Sequence, residues 1–583
     1  MSRIVADIES DGLLPQLTKI HVICTLDLDT GEKRSFNPGE IDAGIAYLET
    51  ASELIFHNGI TFDIPALRKI YPDFSTDGIT LTDTLVLSRL LRPDLKNDDF
   101  TQVSGTGQFP KRLYGSHSLR AWGFRLGVLK GDFGKEETDW STWTPEMTSY
   151  CAQDVVVTAK LLEALAPQDW PQESIRLEHS LAEICYRIGD AGWQFDTKKA
   201  IELYARLAQE RADLESELRE LFPPWEIKEE FVPARNNKTR GYVAGVSVFK
   251  TKMVEFNPNS RRHIEHCLRT KYRWKPTVFT AGGDAKIDET ILKSLPYPEA
   301  KRLAHGFLLS KRIGALAEGR NAWLKLEDNG VIKHTIISQG TVTGRAAHRG
   351  PNVSQVPATR APYGKECREL FTVPPGYSLV GCDLSGLELR CLAHYLNDGG
   401  AYAKELLEGD IHTANMKAVG LPDRQTGKLW GYAWLYGAGD QKLGAIVGKG
   451  AAEGKRLREQ FMAANPALAS LVRAVKSAAK SRGYLVGLDG RRLPVRSEHG
   501  ALNLLLQSAG AVICKYWVEL VDKDLRENDV PAHIVGWIHD ELQCSVKEGF
   551  EEDVGHRLQR GAAEAARAVR FKLPIDAEYS VGR

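Results

Sequence analysis

Two apolar runs far apart in this chain each finish on an aspartate, and that pairing limits the fold more than any other feature. Ser378-Leu-Val-Gly-Cys-Asp carries Asp383 to the end of one strand, and Ile534-Val-Gly-Trp-Ile-His-Asp-Glu sets His539, Asp540 and Glu541 at the tip of a predicted hairpin. Joining the strands brings Asp383 and Asp540 together. Like charges side by side are costly unless a cation sits between them or one acid keeps its proton. The stretch from Arg424 to Gly437 lies between them in sequence, with Arg424, Lys428, Tyr432 and Tyr436 recurring every four residues. On a helix that spacing makes one face, two cations followed by two rings. Such a face suits a polyphosphate at one end and a sugar and base at the other. An amphipathic helix with core aromatics and solvated cations has the same spacing, and the flanking acids are what favour a nucleotide and a metal.

A chain of 583 residues exceeds one core and predicts two or three domains. Its 76 Lys+Arg balance 76 Asp+Glu, so nucleic-acid binding must come from local clusters. Nine scattered cysteines without a Cys-x-x-Cys argue for reduced thiols and a cytoplasmic setting, and against a zinc site. No targeting or membrane segment is expected.

The first strand carries Asp7 and Glu9 on one face, since side chains two apart point the same way. Phe56-His-Asn-Gly-Ile-Thr-Phe-Asp63 delivers a third acid after a turn, and Tyr150-Cys-Ala-Gln-Asp154 adds a tyrosine and a fourth. Oxygen ligands of this kind suit Mg²⁺ or Mn²⁺ and metal-assisted phosphodiester hydrolysis. Leu207, Leu214, Leu218 and Leu221 mark a long helix ended by Pro223-Pro224, whereas 226–252, basic and rich in breakers, reads as an exposed loop or small subdomain. Helix is expected again from Glu299 to Leu326, with Lys311 and Arg312 on a basic edge. Thr343-Gly-Arg345, Arg349 and Gln355 supply donors to phosphate or minor-groove acceptors. The basic run Arg473, Lys476, Lys480, Arg482, Arg491, Arg492 and Arg496 fits contact with a duplex backbone.

Asp383-x-x-x-x-Glu388, the Arg424 to Gly437 helix and His539-Asp-Glu541 resemble the three polymerase motifs of family A DNA polymerases. Leu384-Ser-Gly-Leu-Glu-Leu-Arg and Leu504-Leu-Leu-Gln-Ser-Ala-Gly resemble, more narrowly, the replicative enzymes of small lytic podophages. The Asp7, Glu9, Asp63, Tyr150 and Asp154 set resembles the proofreading 3′→5′ exonucleases with a ribonuclease H-like fold. The resemblance implies a multidomain α/β chain: an exonuclease domain over 1–170, a thumb over 171–335 with the short segment near 226–252, palm over 336–405 and 481–583, and fingers over 406–480.

It implies DNA-templated DNA synthesis with proofreading, two Mg²⁺ in each site (or Mn²⁺), and Asp383 and Asp540 as polymerase ligands assisted by Glu541. Asp7, Glu9, Asp63 and Asp154 would hold the exonuclease metals, with Tyr150 orienting water. Arg424, Lys428 and His412 would grip the triphosphate, Glu388 would exclude a 2′-hydroxyl, and Tyr432 and Tyr436 would lie by the sugar and the nascent pair. Arg345, Gln355, Asn503, Gln507 and His539 would touch DNA. Implied partners are primer–template DNA, deoxynucleoside triphosphates and a replisome helicase or primase, in the host bacterial cytoplasm. The shortness of 226–252 argues against capture of host thioredoxin. Ala433 stands where the family usually has Gly, with Gly431 before Tyr432, which moves the expected bend of the helix. The end at Val581-Gly-Arg583 is expected to be a truncation, and without a 5′-nuclease domain nick translation is not expected. Competing readings are a DNA-degrading hydrolase and a non-catalytic primer–template binder.

Overall fold

The computed structural model describes residues 2–102, 109–128, 139–280 and 282–582. They form two compact units, one of Met1–Trp193, Lys333–Ser354 and Val373–Arg583, the other of Gln194–Ile332 and Gln355–Thr372.

The first unit begins with a five-stranded sheet of β1 (Arg3–Ser10), β2 (Ile20–Asp27), β3 (Lys33–Phe36), β4 (Glu53–Phe56) and β5 (Thr80–Asp83), in the order β3-β2-β1-β4-β5. β1 and β2 pair antiparallel, as do β2 and β3, whereas β4 is parallel to β1 and β5 to β4. Alternation along β1 sends Ile4, Ala6 and Ile8 into a core with α1 (Ile41–Leu48) and α2 (Asp63–Ile70). Val5 points the other way, into a core with Cys151 and Val155 of α3 (Pro145–Leu165). Period-two geometry therefore puts Asp7 and Glu9 on the α3 face. Helix α4 (Gln172–Ala191) follows.

Later in the same unit, β6 (Thr335–Ile337) and β7 (Ala347–Arg349) form a hairpin. A four-stranded antiparallel sheet is ordered β9 (Ala532–Ile538), β10 (Glu541–Lys547), β8 (Tyr377–Leu384), β11 (Ala577–Gly582). Val380, Cys382 and Leu384 of β8 are buried, so Asp383 projects from the opposite face. Helices α5 (Leu387–Tyr395), α6 (Ile411–Val419), α7 (Arg424–Leu435), α8 (Ala501–Glu527) and α9 (Glu551–Ala568) contribute to the core that includes this sheet. The Glu498–Glu527 segment containing α8 is long and apolar enough to cross a membrane, yet 83% of its most apolar window is buried inside the protein. All nine cysteines are free and buried.

In the second unit a helix over Thr197–Leu221 is capped by Asp196, which accepts from the Lys199 N–H at 2.9 Å, and buries Leu207, Leu214 and Leu218. The helix Pro298–Ile313 pairs with it through Arg302 to Glu217 and His305 to Glu210. Arg312 departs from the expected basic edge: it is buried and donates to the Pro362 carbonyl at 3.2 Å. The stretch read as a loop or small subdomain contains an antiparallel ribbon, Trp225–Phe231 against Val248–Val254. Polar residues on both of its faces hide the alternation from sequence, and Asn236, Asn237, Gly241 and Gly245 fall in the connecting turn.

Candidate active site

The β8–β10 register sets Asp383 opposite Glu541, and the Asp540 carbonyl accepts from the Leu384 N–H at 3.0 Å. His539 turns the hairpin with φ of 60°, its carbonyl receiving the Trp537 indole N–H at 3.0 Å. The two distant strand ends thus meet. Partial burial, then Asp540, Glu541 and Glu388, push the Asp383 carboxyl up to about 6, even though the residue is exposed. Burial and Glu388 raise Asp540 as well, against the opposing pull of His539 and Arg345. Asp383, Asp540 and Glu541 offer carboxylate oxygens at this edge, the type that hard divalent cations prefer.

Helix α7 starts at Asp423, which accepts from the Thr426 N–H at 2.8 Å. Its N-terminal Arg424 is bound to Asp410 at 2.6 Å, and Asp410 caps α6. That guanidinium draws the Asp410 carboxyl well below the usual range. On the next turns Tyr432 and Tyr436 stack with ring centres 6.2 Å apart, and His412 of α6 lies 5.7 Å from Tyr432. Burial, followed by Lys428 and Arg424, lowers the His412 pKa and favours its neutral form. The cations and rings of α7 and the imidazole of α6 therefore share one region. Gly427 permits this: a Cβ there would lie 2.8 Å from Met416 Cβ and 2.9 Å from the His412 carbonyl oxygen. Gly427→Val is expected to destabilise by about 1–3 kcal/mol through overpacking, read from the denaturant midpoint. Gly431 is looser, its added Cβ meeting Asn415 at 3.4 Å.

Glu388 on α5 joins the end of α7 to the turn between β6 and β7. It accepts from the Tyr436 hydroxyl at 3.0 Å and from Arg345 at 3.1 Å. Arg345 is therefore an ion-pair partner of Glu388. Asn503 and Gln507 stand one turn apart and half-buried on α8, and Asn503 lines a cleft of about 400 Å³ with Trp434, Lys476 and His499. His539 is exposed, and Gln355 belongs to the second unit, outside this grouping. Arg473, Lys476, Lys480 and Arg482 are exposed, as a backbone contact requires. Arg491 corrects the expected basic run: it is 1% exposed and bound to Asp489 and Glu178, so it cannot reach a duplex. Arg496 is paired with Asp94, and Arg492 lies 4.4 Å over the Trp170 ring.

A second acidic group forms on the N-terminal sheet. The carboxylates of Asp7 and Glu9 and the Cys151 thiol offer ligand atoms within 4.8 Å of one another, and that thiol donates to the Asp7 carbonyl at 3.3 Å. Asp63 opens α2 and accepts from the Ile8 N–H at 3.3 Å; burial, then Asp83 and Asp154, push it up to about 7. Asp154 is buried on α3, with Tyr150 one turn earlier. Asp83 lies outside the sequence motifs of this site. Its carboxylate accepts from the N–H groups of Asn58 at 2.9 Å, Ile60 at 3.2 Å and Leu85 at 2.8 Å, fixing the turn that leads to Asp63. An aspartate directly before the apolar helix Thr84–Leu91 is the helix-cap signal that marks it.

The description "DNA polymerase family A" matches residues 242–583. The DNA-directed DNA polymerase of Enterobacteria phage T3 is 35% identical over 99% of this chain and 99% of its own length, and that of Escherichia phage T7 shows the same values. Among solved structures, the POL domain of Pol1 from M. smegmatis, in complex with DNA primer-template and dNTP, superposes with a TM-score of 0.75 at 18% identity, covering 100% of this chain and 95% of that one. The sheet edge bearing Asp383 and Asp540 and the helix bearing Lys428 both lie in the matched region, and this chain belongs to DNA polymerase family A as a DNA-directed DNA polymerase of the phage type.

Proposed function

We propose that the chain extends a primer 3′ end by metal-assisted phosphoryl transfer and removes mispaired ends with a separate 3′→5′ exonuclease. The observation that carries the polymerase half is the register that sets Asp383 against Glu541 with Asp540 at the adjoining turn, in the same unit as α7. Asp383 and Asp540 fit hard divalent ions, since both are acids whose ionisation the fold disfavours until positive charge arrives. Bound Mg²⁺ or Mn²⁺ would supply the charge that activates the 3′-hydroxyl and stabilises pyrophosphate. Lys428 and His412 would hold the triphosphate. Arg424 would join them by exchanging Asp410 for phosphate. Glu388, fixed by Arg345 and Tyr436, would wall off the ribose 2′-position. Asn503, Gln507, Arg345, Gln355 and His539 remain proposed contacts to primer–template DNA.

The order β3-β2-β1-β4-β5, with an antiparallel pair beside parallel ones, supports a ribonuclease H-like assignment for the exonuclease half. Its donors are Asp7, Glu9, Asp63 and Asp154, with Tyr150 to orient water. We assign 1–170 to the exonuclease, 171–335 to the thumb, 336–405 and 481–583 to the palm and 406–480 to the fingers, acting in the cytoplasm of a bacterial host. A labelled primer–template with Mg²⁺ tests the pair of activities: growth with nucleotides and shortening without them are expected. Shortening under both conditions would refute the polymerase assignment.

Tyr432→Phe is expected to lower acceptance of dideoxynucleotides, because the tyrosine hydroxyl would stand in for the 3′-oxygen that such nucleotides lack. An unchanged deoxy/dideoxy ratio would reject that role. Metal binding should also show in stability. With Asp383 at about 6 and Asp63 at about 7, the folded chain keeps protons that unfolded carboxyls have released. The stabilising contribution of these two acids without metal therefore falls as pH rises from about 4 to about 7, since over that range each binds more protons in the native state than in the unfolded state. Cations in these sites remove that deficit, so the gain in Tm on adding Mg²⁺ should be larger near about pH 7.5 than near about pH 5. Equal gains would exclude these acids as ligands.

A further inference from the structure

Helix α4 turns two neighbouring side chains toward different chemistry. Glu178 is 0% exposed, and its carboxylate pairs with Lys515 of α8 and, at 2.9 Å, with Arg491. Arg491 also binds Asp489 at 2.6 Å, so two cations face two anions in the buried interior. The Gln339 side-chain oxygen accepts from Arg491 at 2.8 Å and Lys515 at 3.1 Å, while its amide donates to the Thr341 carbonyl at 3.2 Å. A Cβ on Gly344 would stand 2.9 Å from the Arg491 guanidinium, which places the turn before Arg345 directly on this cluster. Arg345 then holds Glu388, and Glu388 receives Tyr436.

His179 serves the other site. Its Nδ1 faces the Ile175 carbonyl at 2.8 Å, leaving Nε2 to accept from the Asp83 N–H at 2.9 Å. Asp83 in turn collects the amides of the turn leading to Asp63. Ion pairs of Arg176 with Glu519 and Arg187 with Asp522 fix α4 along α8. Those surface pairs would suffice for a simple strut, and a buried ionic cluster is often no more stable than apolar packing of similar volume. What the cluster adds is direction.

We propose that Glu178 and His179 are positioning residues for two separate sites: Glu178, through Lys515, Arg491 and Gln339, sets Arg345 and Glu388 against the incoming sugar, and His179, through Asp83, sets Asp63 in the exonuclease cluster. Neither residue touches substrate, and the inference rests on the proposed reading of Glu388 and of the exonuclease acids.

The test uses the full chain carrying Glu178→Gln, the charge-balanced double change Glu178→Gln with Lys515→Met, His179→Leu, and His179→Gln, which keeps an acceptor. Each is assayed for extension with ribo- and deoxynucleoside triphosphates and for shortening of a single strand without nucleotides. Both Glu178 variants should raise ribonucleotide use relative to deoxynucleotide use by about fivefold, with shortening changed by less than about twofold. His179→Leu should slow shortening by about tenfold with extension within about twofold, and His179→Gln should recover most of the loss. Should Glu178→Gln fail to fold, the double variant supplies that arm. Parallel losses of both activities in every variant would show α4 to be a plain support and overturn the inference.

Two controls separate this from failure of the underlying reading. If Glu388→Ala shifts sugar selection and Glu178→Gln does not, the Glu178 half is wrong. If Glu388→Ala shifts nothing, the sugar-wall reading falls and the Glu178 half with it. Shortening abolished by Asp7→Ala but untouched by His179→Leu refutes the His179 half, and shortening indifferent to Asp7→Ala removes the exonuclease reading and that half together.

Discussion

Asp383→Ala should abolish primer extension, lowering the rate by about 10³-fold or more while leaving the fold intact. The side chain projects from the face opposite Val380, Cys382 and Leu384, so its removal opens no core cavity. It also relieves crowding among Asp383, Asp540, Glu541 and Glu388, which burial makes costly in the metal-free chain. Thermal stability without metal should therefore hold or rise while synthesis is lost. That combination separates a reacting group from a structural one. Steady-state extension on a primed template, with a melting curve of the same preparation, measures both. A variant that extends primers within about tenfold of the unaltered chain would remove Asp383 from the chemistry.

Asp7→Ala is the second large effect. It should lower shortening of single strands by about 10²-fold or more and leave extension of matched primers unchanged within about twofold. Asp7 lies on β1 facing α3, on a sheet that shares no strand with the one bearing Asp383. Its loss should show in misincorporation, because an unpaired terminus would no longer be trimmed before extension resumes. Extension from a mismatched primer with all four nucleotides gives the readout. If Asp7→Ala slowed matched extension as much as shortening, the two activities would not be separate.

Residues that announce themselves by pattern were legible in sequence. The strand carrying Asp383 and the hairpin carrying Asp540 could be paired in advance because each is an apolar run that stops at an acid, and the observed register joins them. The leucine spacing from Leu207 to Leu218 marked a helix for the same reason. What stayed hidden depended on tertiary partners. Arg491 looks like any arginine in a basic run, and only Glu178, far away in sequence, reveals that it is interior. Lys515 did carry a local sign, a lone charge amid Ile513, Cys514, Tyr516, Trp517 and Val518, which a buried partner alone could tolerate. The ribbon left only a faint one, because the half-buried Trp225, Ile227 and Phe231 share their face with Glu229 and are set among exposed Glu and Lys.

Because none of the nine sulfhydryls reaches the surface, the folded enzyme should be nearly inert to maleimides. One cysteine added at exposed Leu429 and another on the rim of the β9–β10 hairpin would then take fluorescent dyes without first stripping the native ones. The distance between the helix and the sheet, with and without nucleotide, could then be read as energy transfer in a chain otherwise unaltered.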